Sequence, residues 1–175
     1  MRVFSLACAL AVASLGAAAA QTPAAQTPAA KAPAAKAPAA KAKATSTAAA
    51  RTVNITGGDN MKFDQTEITA KPGETLHIVL KNIGTMPKMA MAHNFVLLKT
   101  GTDQAEFSKA AFNARETDFI PPTMKDAVIA HTGLAGPGES VEVRFKVPAK
   151  AGTYAFICSF PGHFGLGMRG TLIVK

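Results

Sequence analysis

Three side chains able to bind a soft metal lie on one short stretch near the C-terminus. In Cys158-Ser-Phe-Pro-Gly-His163-Phe-Gly-Leu-Gly-Met168 a thiol, an imidazole and a thioether follow one another at five-residue intervals. A thiolate, two imidazoles and a weak thioether are the donors that hold copper in electron-transfer sites. His93, in Met89-Ala-Met-Ala-His93-Asn-Phe-Val-Leu-Leu98, is the obvious second imidazole. Structural zinc prefers several thiolates or a full Cys/His tetrad, and Met serves it poorly, so this set favours copper. A different copper chemistry also stays open. Met86, Met89 and Met91 form a Met-rich run beside His93. Thioethers suit Cu(I), so the run would fit a periplasmic copper carrier or resistance protein that binds Cu(I) through Met and His. A copper enzyme needs a second metal site. The chain has four His, and His77 and His131 are not clustered with the other two, so no enzyme is expected.

The elements that must position these donors read as strands. Val53–Ile55, Thr66–Ala70, Thr75–Asn82, Phe95–Leu98, Ala127–Ala130, Val141–Val147, Thr153–Cys158 and Gly170–Val174 are short apolar or alternating runs, separated by turn signals such as Lys71-Pro-Gly73 and Gly136-Pro-Gly138. In Val141-Glu-Val-Arg-Phe-Lys-Val147 the odd positions are apolar and the even ones charged, as on a half-buried antiparallel strand. Eight such runs predict an all-β sandwich or barrel. Cys158 then ends a strand, Met168 precedes the last one, and the loop between them aims its side chains at one point. His77 alternates with the apolar residues of its strand and should face solvent; His131 should sit at a strand end. Residues 101–126 break the pattern. Asp103 is an N-cap with Glu106 three residues on, and Phe107, Ala110 and Ala111 follow at helical spacing. This is a helical flap between strands, and Pro121-Pro122 should end its regular structure.

The N-terminal third is built differently. Arg2, the apolar run Val3–Leu15 and Ala18-Ala-Ala20 before Gln21 fit a secretory signal peptide over residues 1–20. Residues 21–51 are an Ala/Pro/Lys-rich linker in which Gln-Thr-Pro-Ala-Ala and then Lys-Ala-Pro-Ala-Ala each occur twice. Pro at every fifth residue forbids a continuous helix and nothing large is available to bury, so the linker should be disordered and extended, able to reach on the order of 90 Å. It is expected to be a free tail or a tether to the membrane or cell wall. The folded domain is residues 52–175. Arg2 and five tail residues take six of the 19 basic residues, leaving 13 against 11 acids from residue 52 onward, a net +2 in place of the whole chain's +8. The basic excess therefore lies mostly in a tail without aromatics, and no nucleic-acid partner is expected. Cys8 falls in the leader, so the mature chain keeps one thiol, Cys158, which in an oxidising compartment needs burial or a metal.

Four segments in order, Gly58-Asp-Asn-Met-Lys-Phe63, Met91-Ala-His-Asn-Phe-Val96, Val128-Ile-Ala-His-Thr132 and Cys158-Ser-Phe-Pro-Gly-His163 with Met168-Arg-Gly-Thr-Leu172, resemble the cupredoxins, and among them the azurin and auracyanin type. The resemblance spans most of residues 52–175. It implies an eight-stranded Greek-key β-sandwich or barrel and one copper per chain in a mononuclear blue site, with His93, Cys158 and His163 equatorial and Met168 axial. It also implies one-electron transport in the periplasm by a monomer. Redox partner proteins, such as c-type cytochromes or a respiratory or photosynthetic complex, would dock near His163. The backbone amides of Asn94 and Phe160 would point at the thiolate, and the Asn94 side chain would tie the ligand loops together. Met61, Met86, Met91, Phe160 and Leu166 would ring the His163 edge, with Met91 equally readable as core. Three features depart from azurins. The spacing from His163 to Met168 is one residue longer, Ala92 replaces a Gly before the first His, and the N-terminal disulfide is absent. The longer spacing is similar to that of auracyanin and plastocyanin.

Overall fold

The structure, a computed structural model, describes residues 50–175. The expectations for the signal peptide and for linker residues 21–49 lie outside the described residues. Eight strands form two sheets: β1 (Arg51–Gly57), β3 (Thr75–Asn82) and β6 (Ser140–Lys146) in one, and β2 (Glu67–Ala70), β8 (Arg169–Val174), β7 (Gly152–Ile157), β4 (Val96–Leu98) and β5 (Val128–His131) in the other, in those orders. The pairs β1–β3 and β2–β8 are parallel and all others antiparallel, so the chain crosses repeatedly between sheets in a Greek-key sandwich. Arg51, counted above with the tail, is the first residue of β1 and pairs with Glu74 at 2.6 Å.

Period-two alternation does what it should. Leu76, Ile78 and Leu80 of β3 point inward and are fully buried, meeting Leu97, Phe156 and Leu172 of the opposite sheet in one core. Phe95 stacks on Phe156 with ring centroids 5.0 Å apart, and Phe63 meets the same ring at 5.6 Å. β4 is buried on both faces. Leu97 enters the sandwich, while Val96 and Leu98 join Phe107, Ile120 and Ile157 in a second cluster under the flap. A strand covered on both sides reads as an unbroken apolar run, as this one does.

The flap carries α2 (Gln104–Ala111), whose N-cap Asp103 accepts from the Ala105 and Glu106 amides at 2.9 and 3.0 Å. Regular structure does not stop at Pro121-Pro122, because two short 3-10 turns, parted by a kink at Met124 (φ −121°), occupy Pro122–Ala127. Proline is tolerated in a first helical turn, where its missing N–H would have no partner. A four-residue helix, α1 (Lys88–Met91), precedes His93. His77 lies on the outer face of β3, yet it is only 8% exposed and does not face solvent. It sits on the middle strand of its sheet, where Glu142 of β6 and Thr52 of β1 close over it with contacts of 2.6 and 3.4 Å.

Candidate metal centre

The ligand loop is the β7–β8 connection, and hydrogen bonds pinch it shut. The Cys158 amide donates to the Met168 carbonyl at 3.0 Å, and the Met168 amide to the His163 carbonyl at 2.9 Å. Inside, the amides of His163 and Gly167 donate to the carbonyls of Phe160 and Phe164. These tight turns need left-handed backbone at Gly162 (φ 85°) and Gly167 (φ 92°), which glycine adopts without steric cost.

His93 comes from the facing loop, and its backbone exchanges two hydrogen bonds with Ala135, at 3.0 and 2.8 Å. Asn82 braces this arrangement. Its Nδ2 donates to the carbonyls of Met91 and Ala135, and its Oδ1 accepts from the Gly84 amide. Asn94 joins the two loops: its Nδ2 donates to Ser159 Oγ at 2.8 Å and its Oδ1 accepts from the Ser159 amide at 2.9 Å.

Three donor atoms thereby converge. His93 Nδ1 lies 3.2 Å from His163 Nδ1, which lies 3.5 Å from Cys158 Sγ, and the candidate donor atoms of the three residues fall within 4.8 Å of one another. Cys158 is fully buried, His93 likewise, and His163 is 2% exposed. Met168 is also fully buried, and a Cβ added at Gly57 would come within 2.6 Å of its Cε and 3.2 Å of His93 Cδ2. The Met168 methyl and the His93 ring thus rest side by side on the bare Gly57 backbone.

The electrostatics fit a cation. Burial pushes the Cys158 thiol up to about 12, against the pull of the Asn94 and Phe160 backbone amides beside the sulfur. Burial lowers His163 to about 4, helped by the proximity of His93. Burial also lowers His93, against the Gly58 carbonyl and the Asp59 charge. No acid pairs with either imidazole among the described residues, and His93 Nε2 is buried without a hydrogen-bond partner. Two neutral imidazoles directing nitrogens toward each other and toward a sulfur supply lone pairs with no proton donor between them, as a soft metal cation requires.

The surroundings differ in part from expectation. His131 ends β5 and is exposed, as expected for a strand-end residue. Phe160 contacts the His163 ring at a centroid distance of 4.8 Å, but it and Met91 are each only 8% exposed and belong to the interior. Exposed large apolar residues among the described ones include Leu166, Met86 and Met89, with Ile83 and Phe112. The Met-rich run does not act as one unit, since Met91 points inward while Met89 Sδ accepts from the Arg115 guanidinium at 3.0 Å. A cation already at that thioether disfavours a Cu(I) site there. The reading of the sequence passed over Asn82 and Gly57. Asn82 was detectable as a polar residue in the inward register of Leu76, Ile78 and Leu80. Gly57 reads simply as a turn, and only the packed structure shows what rests on it.

A Greek-key sandwich with buried Cys and His donors converging at one end is a cupredoxin carrying a mononuclear copper site. The profile described as copper binding proteins, plastocyanin/azurin family, matches residues 49–175. Auracyanin-A of Chloroflexus aurantiacus is 39% identical over 119 residues, covering 67% of this chain and 70% of that one. Azurin of Pseudomonas aeruginosa is 38% identical over 131 residues, covering 73% and 87%. The solved structure of auracyanin A, described as a "blue" copper protein, superposes with a TM-score of 0.65 at 36% identity, covering 73% of this chain and all of that one. The chain belongs to the plastocyanin/azurin family of copper-binding proteins. Its cofactor is copper, one ion per chain, and its function is electron transport.

Proposed function

We propose that His93, Cys158 and His163 would hold the copper ion, with Met168 as a further weak donor, and that the chain passes single electrons between periplasmic redox proteins. The convergence of two Nδ1 atoms and one Sγ at 3.2 and 3.5 Å carries this reading. Bound there, copper supplies a one-electron couple between Cu(II) and Cu(I). The protein's part is to hold its donors still. Cys158 gives up its proton when the site is loaded, and the Asn94 and Phe160 amides stabilise the resulting thiolate. The Asn94–Ser159 and His93–Ala135 hydrogen bonds fix both loops before any metal arrives, so the donors have little room to rearrange between oxidation states. Burial of all four side chains keeps water from the donors. No bond in a substrate is made or broken.

Residues 1–20 would direct export, residues 21–51 would serve as spacer or tether, and the partner would approach at the His163 edge. Among the described residues no helix is long and apolar enough to cross a membrane.

The test is a Cu(II) titration of the reduced, metal-free chain, followed by visible absorption and electron paramagnetic resonance. An intense blue band with narrow hyperfine splitting, saturating at one equivalent, is expected. Cys158→Ala abolishes that band while the β-sheet circular dichroism persists; a mutant that stays blue would refute the assignment. Met168→Leu keeps copper bound and raises the reduction potential, because a weak donor to Cu(II) is removed. An unchanged potential would take Met168 out of the ligand set.

A further inference from the structure

Two consecutive residues that are not glycine stand in left-handed backbone where the flap turns after α2: Asp118 (φ 53°) and Phe119 (φ 61°). Asp tolerates this region, but a bulky Phe seldom enters it, so the surrounding structure must impose it. Hydrogen bonds hold the turn. The Asp118 amide donates to the Arg115 carbonyl at 3.2 Å, the Phe119 amide to that of Ala114 at 2.8 Å and the Ile120 amide to that of Thr117 at 2.9 Å. The Thr117 hydroxyl donates to the Ile120 carbonyl at 2.7 Å. The reversal sends Phe119 into the main core and Ile120 into the cluster under the flap.

Each of the two residues touches a different neighbour of the sulfur. The Asp118 carbonyl accepts from Asn94 Nδ2 at 3.0 Å, the same nitrogen that donates to Ser159 Oγ. Phe119, only 7% exposed, meets the Phe160 ring edge-on with centroids 5.0 Å apart. Asn94 and Phe160 are the residues whose backbone amides lie beside Cys158 Sγ. One follows His93 and the other lies on the β7–β8 loop, so a single turn of a third segment braces both. Backbone strain of this kind persists where the structure around it makes use of it.

We propose that Asp118 and Phe119 are positioning residues for the sulfur. Their strained turn holds the Asn94 and Phe160 amides at Cys158, Asp118 through its backbone carbonyl and Phe119 through ring packing. The inference rests on Cys158 as the copper thiolate and adds a contribution from the flap to the two ligand loops. Amides directed at the sulfur draw negative charge from it and favour Cu(I), the state in which the sulfur carries more of that charge. Loosening them therefore lowers the reduction potential.

The experiment compares the full-length chain with Phe119→Leu, Asp118→Val, Asp118→Gly and Phe107→Leu. Val resists left-handed backbone, whereas Gly accepts it and keeps the carbonyl in place, so Asp118→Gly is the rescue variant. Phe107, fully buried in the cluster under the flap, controls for packing lost away from the loop. Amide hydrogen exchange is measured first in the metal-free chain. The Phe160 amide should exchange at least about tenfold faster in Phe119→Leu, and the Asn94 amide likewise in Asp118→Val. Both rates are taken relative to the amides of Leu76, Ile78 and Leu80 in β3, which report opening of the whole fold. Once copper is loaded, these two variants should lower the reduction potential and move the blue band. Asp118→Gly and Phe107→Leu should keep the relative exchange rates, the potential and the band of the parent chain. The proposal is overturned by equal quickening of the β3 and loop amides, or by a potential that moves as far in Phe107→Leu as in Phe119→Leu. Identical behaviour of Asp118→Val and Asp118→Gly would overturn it too. Exchange is read without metal, so a parent chain that fails to turn blue would count against the copper assignment while the exchange rates still decide the role of the turn.

Discussion

Two histidine sites in this domain are similarly buried and chemically opposite. His77, on the middle strand of the three-stranded sheet, is 8% exposed, and both ring nitrogens have partners, Glu142 at 2.6 Å and Thr52 at 3.4 Å. His93 and His163, at the loop end, are 0% and 2% exposed, face each other at 3.2 Å, and have no carboxylate partner among the described residues. Burial alone therefore separates nothing. What marks the second site is lone pairs left without a donor, since a buried polar group normally finds a partner. One arrangement has a partner on both ring nitrogens, and the other leaves lone pairs that a cation could take.

The contrast breaks most sharply under substitution. His163→Ala should lower copper affinity by more than about 100-fold, beyond what loss of a supporting hydrogen bond does to a metal site. His77→Ala should leave the blue band and affinity unchanged and cost about 1 kcal/mol of stability, read by urea denaturation. A large loss of copper on His77→Ala would erase the distinction.

Acid provides the next test. In the metal-free chain His163 is held at about 4 against an ordinary value of 6.5, so above pH 6.5 it is neutral both folded and unfolded. As pH falls from 6.5 toward 4 the unfolded chain takes up the proton first, and stability is lost, by about 3 kcal/mol once pH is below both values. Denaturation of His163→Gln should show that much less loss across the window; an identical acid profile would contradict it. Cys158 acts at the other end. Its folded value near 12 exceeds the ordinary 9.0, so its contribution is whole below pH 9 and declines as pH rises toward 12.

A further test is at Gly57. A Cβ there would press on Met168 Cε and the His93 ring, so Gly57→Ala should cost about 1–3 kcal/mol, the usual penalty for overpacking. Copper should remain bound with an altered hyperfine splitting. Unchanged stability together with an unchanged spectrum would show that the pocket has slack.

How much was legible in the sequence depends on whether a feature is local. Thr75–Asn82 alternates so regularly that its strand is bounded correctly from sequence, and Asp103 announces α2 because capping is settled within three residues. The two-sheet fold follows from runs of this kind. α1 was missed: it has four residues, begins after Pro87 and has no side-chain cap. The cover over His77 depends on register across three strands, Thr52 beside it on β1 and Glu142 two residues along β6 from its register partner Arg144, which no single-strand pattern contains. The exposed apolar set at the loop end escaped for the same reason. Met89 and Met91 are two residues apart, yet the turn of α1 sends one outward and the other inward. The donors on the ligand loop share one stretch of chain and could be listed together from spacing, whereas Asn82 and Gly57 act on His93 and Met168 from distant strands.

The sealing of Cys158 also sets a clock. Thiols are damaged through their ionised, accessible form, and this sulfur has no exposed surface and is held protonated at any ordinary pH until the site is loaded. A metal-free chain in an oxidising compartment can therefore keep its sulfur intact while the fold is closed, and its useful lifetime is limited by how often the fold opens to expose the thiol.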